Sequence, residues 1–306
     1  MLLQKTRQST SPTVIGDVIN GYSIEVMPRT AAKIESFKDI LPAGTRVYVA
    51  NVEGTEFEDM LTTVRRIREE GFAAMPHFPA RMINNKAVLE NWLQRYRDEA
   101  GVDEALVLAG GMPKPAGDYD SSIQLLETGL FDKYGFKRLH VAGHPEGNPD
   151  IDADGASKFV DDALHWKQAF SERTDADMAI ATQFFFDAKP VIQWVERLDQ
   201  MGIDLPIHIG IAGPAKLQTL IKYAVACGVG PSIKVLKKRA MDLTKLLLPY
   251  EPNDVLADFA AYLAANPDSN IAQVHFFPLG GIKACVTWAD NQLTSADDAE
   301  GARSLG

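Results

Sequence analysis

The chain has 306 residues and a mass of 33.5 kDa, with 46% hydrophobic and 24% charged residues, which excludes wholesale disorder and provides for a sizeable core. Its 31 basic and 41 acidic residues leave a formal charge of −10, which argues against nucleic acid or an anionic membrane as a partner. Two cysteines, Cys227 and Cys285, exclude a disulfide framework or a CxxC zinc site, and the longest stretch without a charge, residues 269–282, is too short to span a bilayer. With an N-terminus that lacks the apolar centre of a signal peptide, these features lead to the expectation of a cytoplasmic, enzyme-like protein.

In chain order, short apolar runs predict strands at Tyr22–Val26, Arg46–Asn51, Phe72–His77, Ala105–Ala109, Arg138–Ala142, Met178–Phe184, Pro206–Ile211 and Gln273–Phe277. Each is apolar at nearly every position and is followed by Gly, Pro or polar residues, the pattern of strands buried on both faces of a parallel sheet. Amphipathic stretches between them predict helices at Glu56–Glu70, Lys86–Glu99, Ser121–Thr128, Ala156–Ser171, Pro190–Met201 and Leu217–Cys227, the last closed by Gly228. Two more helices, around Lys234–Leu248 and Val255–Asn266, fill the long connection between the seventh and eighth strands. Eight strand–helix units of roughly 36 residues each fit one (β/α)8 TIM barrel. The whole chain reads as a single domain, residues 1–306, with an N-terminal extension over 1–19 and a small, polar tail over 289–306 whose last dozen residues are expected to fray.

In such a barrel the C-terminal ends of the strands carry the chemistry. Glu25, within YSIEVMP, puts a carboxylate in an otherwise apolar strand. Desolvation would raise its pKa and suit it to donate a proton, the alternative being a structural glutamate paired with Arg or Lys. His77, in AMPHF, suits a ligand contact or a structural role, and the six histidines show no HxH or HExxH spacing for a metal. In ATQFFFD, residues 181–187, Gln183 offers a paired donor and acceptor to a heterocycle while a phenylalanine packs on its face, the alternative being a buried strand end. Gly110-Gly111 lets backbone approach a ligand closely.

Taken together, YSIEVMP, AAMPHF, VLAGGMPKP, VAGHPEGNP, ATQFFFD, IGIAGP and VHFFPL, in this order over residues 20–288, resemble the methylenetetrahydrofolate reductase family. The resemblance implies a barrel with FAD at its mouth, NADH or NADPH as co-substrate, and interconversion of 5,10-methylenetetrahydrofolate and 5-methyltetrahydrofolate. It assigns Glu25 as the general acid that protonates N10 when the imidazolidine ring opens. Gln183, Phe184, Tyr223 and Gln218 become the substrate contacts, and His77 and Lys167 the flavin and phosphate contacts. Where the family has a Thr-Tyr on strand two, this chain has Ala50-Asn51; where it has Arg-Gly-Asp after strand four, Ala109, Gly110 and Gly111 stand. A Tyr and a His after strand five appear as His144 and Asn148, and Pro278, Gly280 and Gly281 replace polar residues and an Arg after strand eight.

Loss of the carboxylate at Gly111 implies a higher flavin potential and a bias toward oxidation of 5-methyltetrahydrofolate. The departures also leave a flavin-independent reductase, a pterin-dependent methyltransferase and a non-catalytic folate-binding protein as alternatives. The substrates are anionic, so the mouth is expected to be locally basic through Lys114, Lys167 and Lys216, and the extra helices are expected to supply a homo-oligomeric interface.

Overall fold

A computed structural model describes residues 12–230, 232–241 and 248–303. Eight parallel strands close into a barrel in sequence order: β1 (Ser23–Val26), β2 (Arg46–Val49), β3 (Ala73–Pro79), β4 (Glu104–Leu108), β5 (Arg138–Gly143), β6 (Asp177–Phe185), β7 (Ile207–Ala212) and β8 (Ile271–Phe277). The (β/α)8 barrel and all eight strand positions therefore agree with the sequence reading, with ends displaced by one to two residues. Closure pairs Ser23 with His275 and Ile24 with Phe276, joining the two ends of the chain.

Helices follow the strands: α1 (Pro12–Ile19), α2 (Pro28–Ala31), α3 (Phe57–Glu69), α4 (Lys86–Ala100), α5 (Ser122–Glu127), α6 (Leu130–Lys133), α7 (Lys158–Ser171), α8 (Ala188–Gln200), α9 (Leu217–Ala226), α10 (Ile233–Ala240), α11 (Asn253–Ala265) and α12 (Ile282–Arg303). The expected extra helices after β7 are α10 and α11; the part of the first expectation that falls on residues 242–247 lies outside the described residues. Capping explains several boundaries. Asn85 accepts a hydrogen bond from the Val88 amide at the start of α4, and Gly101, left-handed at φ 60°, ends it.

The small, polar residues after Trp288 continue α12 to Arg303. The reason is a buried inner face: Cys285, Val286, Trp288 and Ala289 pack with Ile15 and Ile19 of α1 in the main core. Tyr22, Phe276 and Trp288 form an edge-to-face stack beneath them, with centroids 5.1 and 5.9 Å apart. No helix among the described residues is long and apolar enough to cross a membrane.

Strand alternation divides the structure into two cores. Ile24, Val47, Val107, Val141, Ile209 and Phe276 point outward into the apolar layer under the helices. The residues next to them point inward, where Met75, Leu106 and Ala181 form an apolar patch with the Tyr48 ring and polar side chains share the remaining space. Tyr48, His140, His208 and His275, from four different strands, meet there as buried rings. At the N-terminal end of the barrel Arg46 donates to Glu104 at 2.6 Å, and Arg138 lies 3.6 Å from the same carboxylate.

Tight packing between β5, β6 and α8 depends on Gly143: a Cβ there would lie 2.4 Å from Ile180 Cγ2 and 3.1 Å from the Trp194 ring. Because both neighbours are buried, Gly143→Ala is expected to lower unfolding free energy by about 1–3 kcal/mol, the usual cost of overpacking. Urea denaturation of the two proteins measures this, and equal midpoints would refute it.

Candidate active site

A cavity of about 1440 Å³ opens at the C-terminal ends of the strands. Glu25 from β1, His77 from β3 and His275 from β8 form part of its floor. His77 Nε2 lies 3.4 Å from Glu25 Oε2, and His275 Nε2 lies 3.9 Å from the same oxygen. The sequence reading of Glu25 as a carboxyl with a raised pKa is corrected here. Burial does push the pKa up, but hydrogen bonding and charge from His275 and His77 outweigh it and hold Glu25 down at about 2. Its partners are imidazoles rather than the Arg or Lys of the structural alternative. Burial in turn lowers the pKa of His275, with Glu25 partly offsetting the effect.

Gln183 owes its position to a bulge. The β6–β7 register shifts between Ala181 and Phe184, and the Gly210 amide donates to Thr182 Oγ1 at 2.8 Å. A Cβ at Gly210 would lie 2.6 Å from the Thr182 carbonyl, so a side chain there would push the bulge apart. The Gln183 carboxamide oxygen accepts from the Phe184 amide at 3.1 Å. Phe184 packs edge-on against Phe277 at 5.2 Å, and Tyr223 packs on the same cluster from α9. Gln183, Phe184 and Tyr223 thus share one wall of the cavity. Gln218 does not: it is exposed on α9 and lies outside the lining.

Asn51, Ala109, Gly110, Gly111, His144 and Asn148 also line the cavity. Gly110 is left-handed at φ 91°, and a Cβ on it would lie 2.9 Å from Pro79 Cβ. Gly111 has open space where a side chain would go. Arg81 pins this loop, its amide donating to the Ala109 carbonyl and its guanidinium to the Met112 carbonyl. Asn51 Oδ1 is buried and has no hydrogen-bond partner.

Lys167 stands one layer behind the lining, 5% exposed, and donates to the Ala142 carbonyl at 3.2 Å. Burial pushes its pKa down to about 8, and burial together with the Lys167 charge pushes His144 down to about 4. The basic side chains that do line the cavity are Lys33, Arg81 and Lys283; Lys114 and Lys216 do not. An unpartnered amide oxygen, a buried ammonium and a glycine-lined wall fit an anionic group with hydrogen-bonding edges, as a flavin dinucleotide has.

Two features were missed by sequence reasoning. The sequence places His275 at a candidate strand end but not beside Glu25; that contact arises only through barrel closure, and adjacency of the first and last strands was the signal available. Glu146, after β5, accepts from the Ser232 amide at 2.7 Å and from Ser232 Oγ at 3.0 Å, tying two loops together at the mouth. Glu146 also lines the cavity. Nothing in its local sequence announces that pairing.

A family model for methylenetetrahydrofolate reductase matches residues 28–238. The chain is 28% identical over 166 residues to methylenetetrahydrofolate reductase (NADH) 1 of Arabidopsis thaliana, covering 50% of this chain and 26% of that one. It is 29% identical over 172 residues to 5,10-methylenetetrahydrofolate reductase of Pectobacterium carotovorum subsp. carotovorum, covering 54% and 52%. The matched segments thus span about half or less of these relatives. Among solved structures, a Clostridium thermocellum protein described as binding two copies of 5-methyl-5,6,7,8-tetrahydrofolic acid superposes with a TM-score of 0.53 at 10% identity. That likeness covers 93% of this chain and 100% of the other, and shows the fold alone.

The buried imidazoles make stability depend on pH. Burial holds His208 at about 3 against an ordinary 6.5, and lowers His140 well below 6.5. Their contribution is complete above pH 6.5 and is lost as pH falls toward the folded-state values, because only the unfolded chain takes up the protons. Each should add about 1.4 kcal/mol per pH unit to the slope below the unfolded pKa. Denaturation midpoints across that range should fall with pH, and less steeply in His208→Asn; identical slopes would contradict the assignment.

Proposed function

The chain belongs to the methylenetetrahydrofolate reductase family, and on that premise we propose that it interconverts 5,10-methylenetetrahydrofolate and 5-methyltetrahydrofolate with NADH or NADPH as redox partner. The observation that carries the reading is Glu25: an ionised carboxylate on the cavity floor, between two imidazoles and facing a wall of Gln183, Phe184 and Tyr223. That wall suits a pterin, with an amide for the ring edge and aromatic faces for its plane.

FAD is the cofactor of this reading. Asn51, His77, Ala109, Gly110, Gly111, His144 and Asn148 would hold it, with the buried Lys167 one layer behind them. Bound there, FAD would supply the two-electron carrier between nicotinamide and the one-carbon unit.

Glu25 would work at N10 of the folate. In the oxidative direction hydride leaves the 5-methyl carbon and leaves a 5-iminium cation. The N10 lone pair then closes on that carbon, and the N10 proton passes to the Glu25 carboxylate. Reduction runs the same transfer backward. A carboxylate held at about 2 is ready to act as the base of the oxidative direction. Gly111 favours the oxidative direction, because no carboxylate stands there to oppose charge on a reduced flavin. The proposed setting is one-carbon metabolism in the cytoplasm.

Two variants test this. Glu25→Gln should still bind 5-methyltetrahydrofolate but lose about 10²–10⁴-fold in folate turnover, as expected when a general acid or base is removed. Full turnover in Glu25→Gln would refute the role. Gly111→Asp fits the open space beside the loop and should shift the flavin midpoint potential to more negative values in a dye-equilibration titration. An unchanged potential would remove the directional part of the reading.

A further inference from the structure

We propose that Glu146 is a positioning residue: it seats the C-terminal end of α9 against the cavity and so sets how tightly a substrate is held beside Tyr223. That this substrate is a folate rests on the function proposed above; the anchoring itself is read from geometry. Tyr223 and residues 225–230 line the cavity, so the end of α9 and the turn after it form one side of the mouth. Leu217, Leu220 and Ala224 fix the earlier part of α9 in the apolar cluster that contains Phe184 and Phe186. That grip ends at Ala224. Residues 225–228 are exposed, Val229 and Ile233 are only partly buried, and α10 buries Leu236 alone.

Polar contacts supply the hold that apolar packing lacks here. Ser232, the residue that precedes α10, donates its amide to Glu146 Oε1 at 2.7 Å and its hydroxyl to Glu146 Oε2 at 3.0 Å. Both are hydrogen bonds to one carboxylate, stronger than bonds between neutral groups. The Ser232 hydroxyl oxygen also accepts from the Phe186 amide at 3.2 Å, so this serine is tied to the loop after β5 and to the end of β6. Gly230 brings the backbone close to the same glutamate: a Cβ there would lie 2.8 Å from Glu146 Cβ and 3.1 Å from the Glu146 carbonyl oxygen. A carboxylate at the start of α10 also suits the positive end of the helix.

This contact joins the two halves of the proposed site. Glu146 lies in a turn closed by the Gly147 amide on the His144 carbonyl at 3.0 Å, and His144 and Asn148, on either side of it, line the cavity. Across the mouth the same carboxylate holds the segment that follows Tyr223. Release of that segment would let Tyr223 move relative to Gln183 and Phe184, and a positioning error of about 1 Å can cost 10²-fold in rate. Both Glu146 oxygens are occupied by Ser232, so Glu146 acts on the substrate through the backbone it holds. Its loss should therefore weaken substrate binding more than it slows proton transfer at Glu25.

Cys227 reports this seating without turnover. Its thiol lies in the held stretch and lines the cavity, where partial enclosure and the charge of Glu25 push its pKa up to about 11. Cys285 is buried in the main core. Glu146→Gln keeps the size of the side chain but leaves one accepting oxygen where two are used. In that variant Cys227 should react with an aromatic disulfide reagent about tenfold faster, the gain in thiolate being partly offset by weaker nucleophilicity, while Cys285 stays silent. Ser232→Ala, which keeps the amide contact and loses the hydroxyl ones, should fall between. In turnover, Glu146→Gln should raise KM for 5-methyltetrahydrofolate about tenfold and lower kcat far less. An unchanged Cys227 rate would overturn the anchoring. Reaction of both thiols would overturn it as well, since Glu146 would then support the whole barrel. A faster Cys227 with wild-type KM would overturn the link to substrate. A wild-type protein inert toward folates would overturn the functional reading, while the Cys227 rate would still decide the anchoring.

Discussion

The carboxylate of Glu25, held between the imidazoles of His77 and His275, is the interaction on which the rest of the site depends. A negative charge on the partly buried floor of a cavity persists only if neighbouring groups compensate for lost hydration. Those donors come from β3 and β8, so the charge state of the site exists only once the barrel has closed. The register that pairs Ser23 with His275 brings residues from opposite ends of the chain into one polar cluster. Fold and chemistry are coupled at that seam.

The same constraint shapes the interior below. Barrels of this type usually fill the centre with branched apolar side chains. Here the inward positions of β2, β5, β7 and β8 carry Tyr48, His140, His208 and His275. Burial keeps His140, His208 and His275 toward the neutral form, and neutral imidazoles can both accept and donate. Glycines serve the mouth in a different way. Gly210 makes room for the bulge that presents Gln183, and a Cβ on Gly280 would lie 2.1 Å from the Pro214 carbonyl. Gly280, which reads in the sequence as a lost polar contact, is therefore also a packing requirement between the β7 and β8 loops.

Much of the barrel was legible because both strand faces and one stripe of each helix carry regular apolar patterns. The floor and walls were legible where a polar residue interrupts such a pattern, as at Glu25, His77 and Gln183. What failed was everything set by long-range neighbours. The pKa of Glu25 depends on His275, 250 positions away along the chain, and a desolvation argument alone gave the wrong sign. His140 and His208 sit in LHVAG and IHIGI as single polar residues in apolar runs, and only the closed barrel shows them touching. Gln218 is adjacent to lining elements in sequence, yet helix rotation turns it to solvent. Lys167 illustrates an intermediate case, near the predicted wall but one layer behind it.

The most direct test of the account is anaerobic. The protein, reconstituted with FAD, is mixed with 5-methyltetrahydrofolate while its visible spectrum is recorded. The account predicts binding of the flavin, bleaching of its oxidised absorption by the folate, and appearance of 5,10-methylenetetrahydrofolate in matching amount. A protein that binds no flavin, or a bound flavin that stays oxidised with 5-methyltetrahydrofolate, would contradict it.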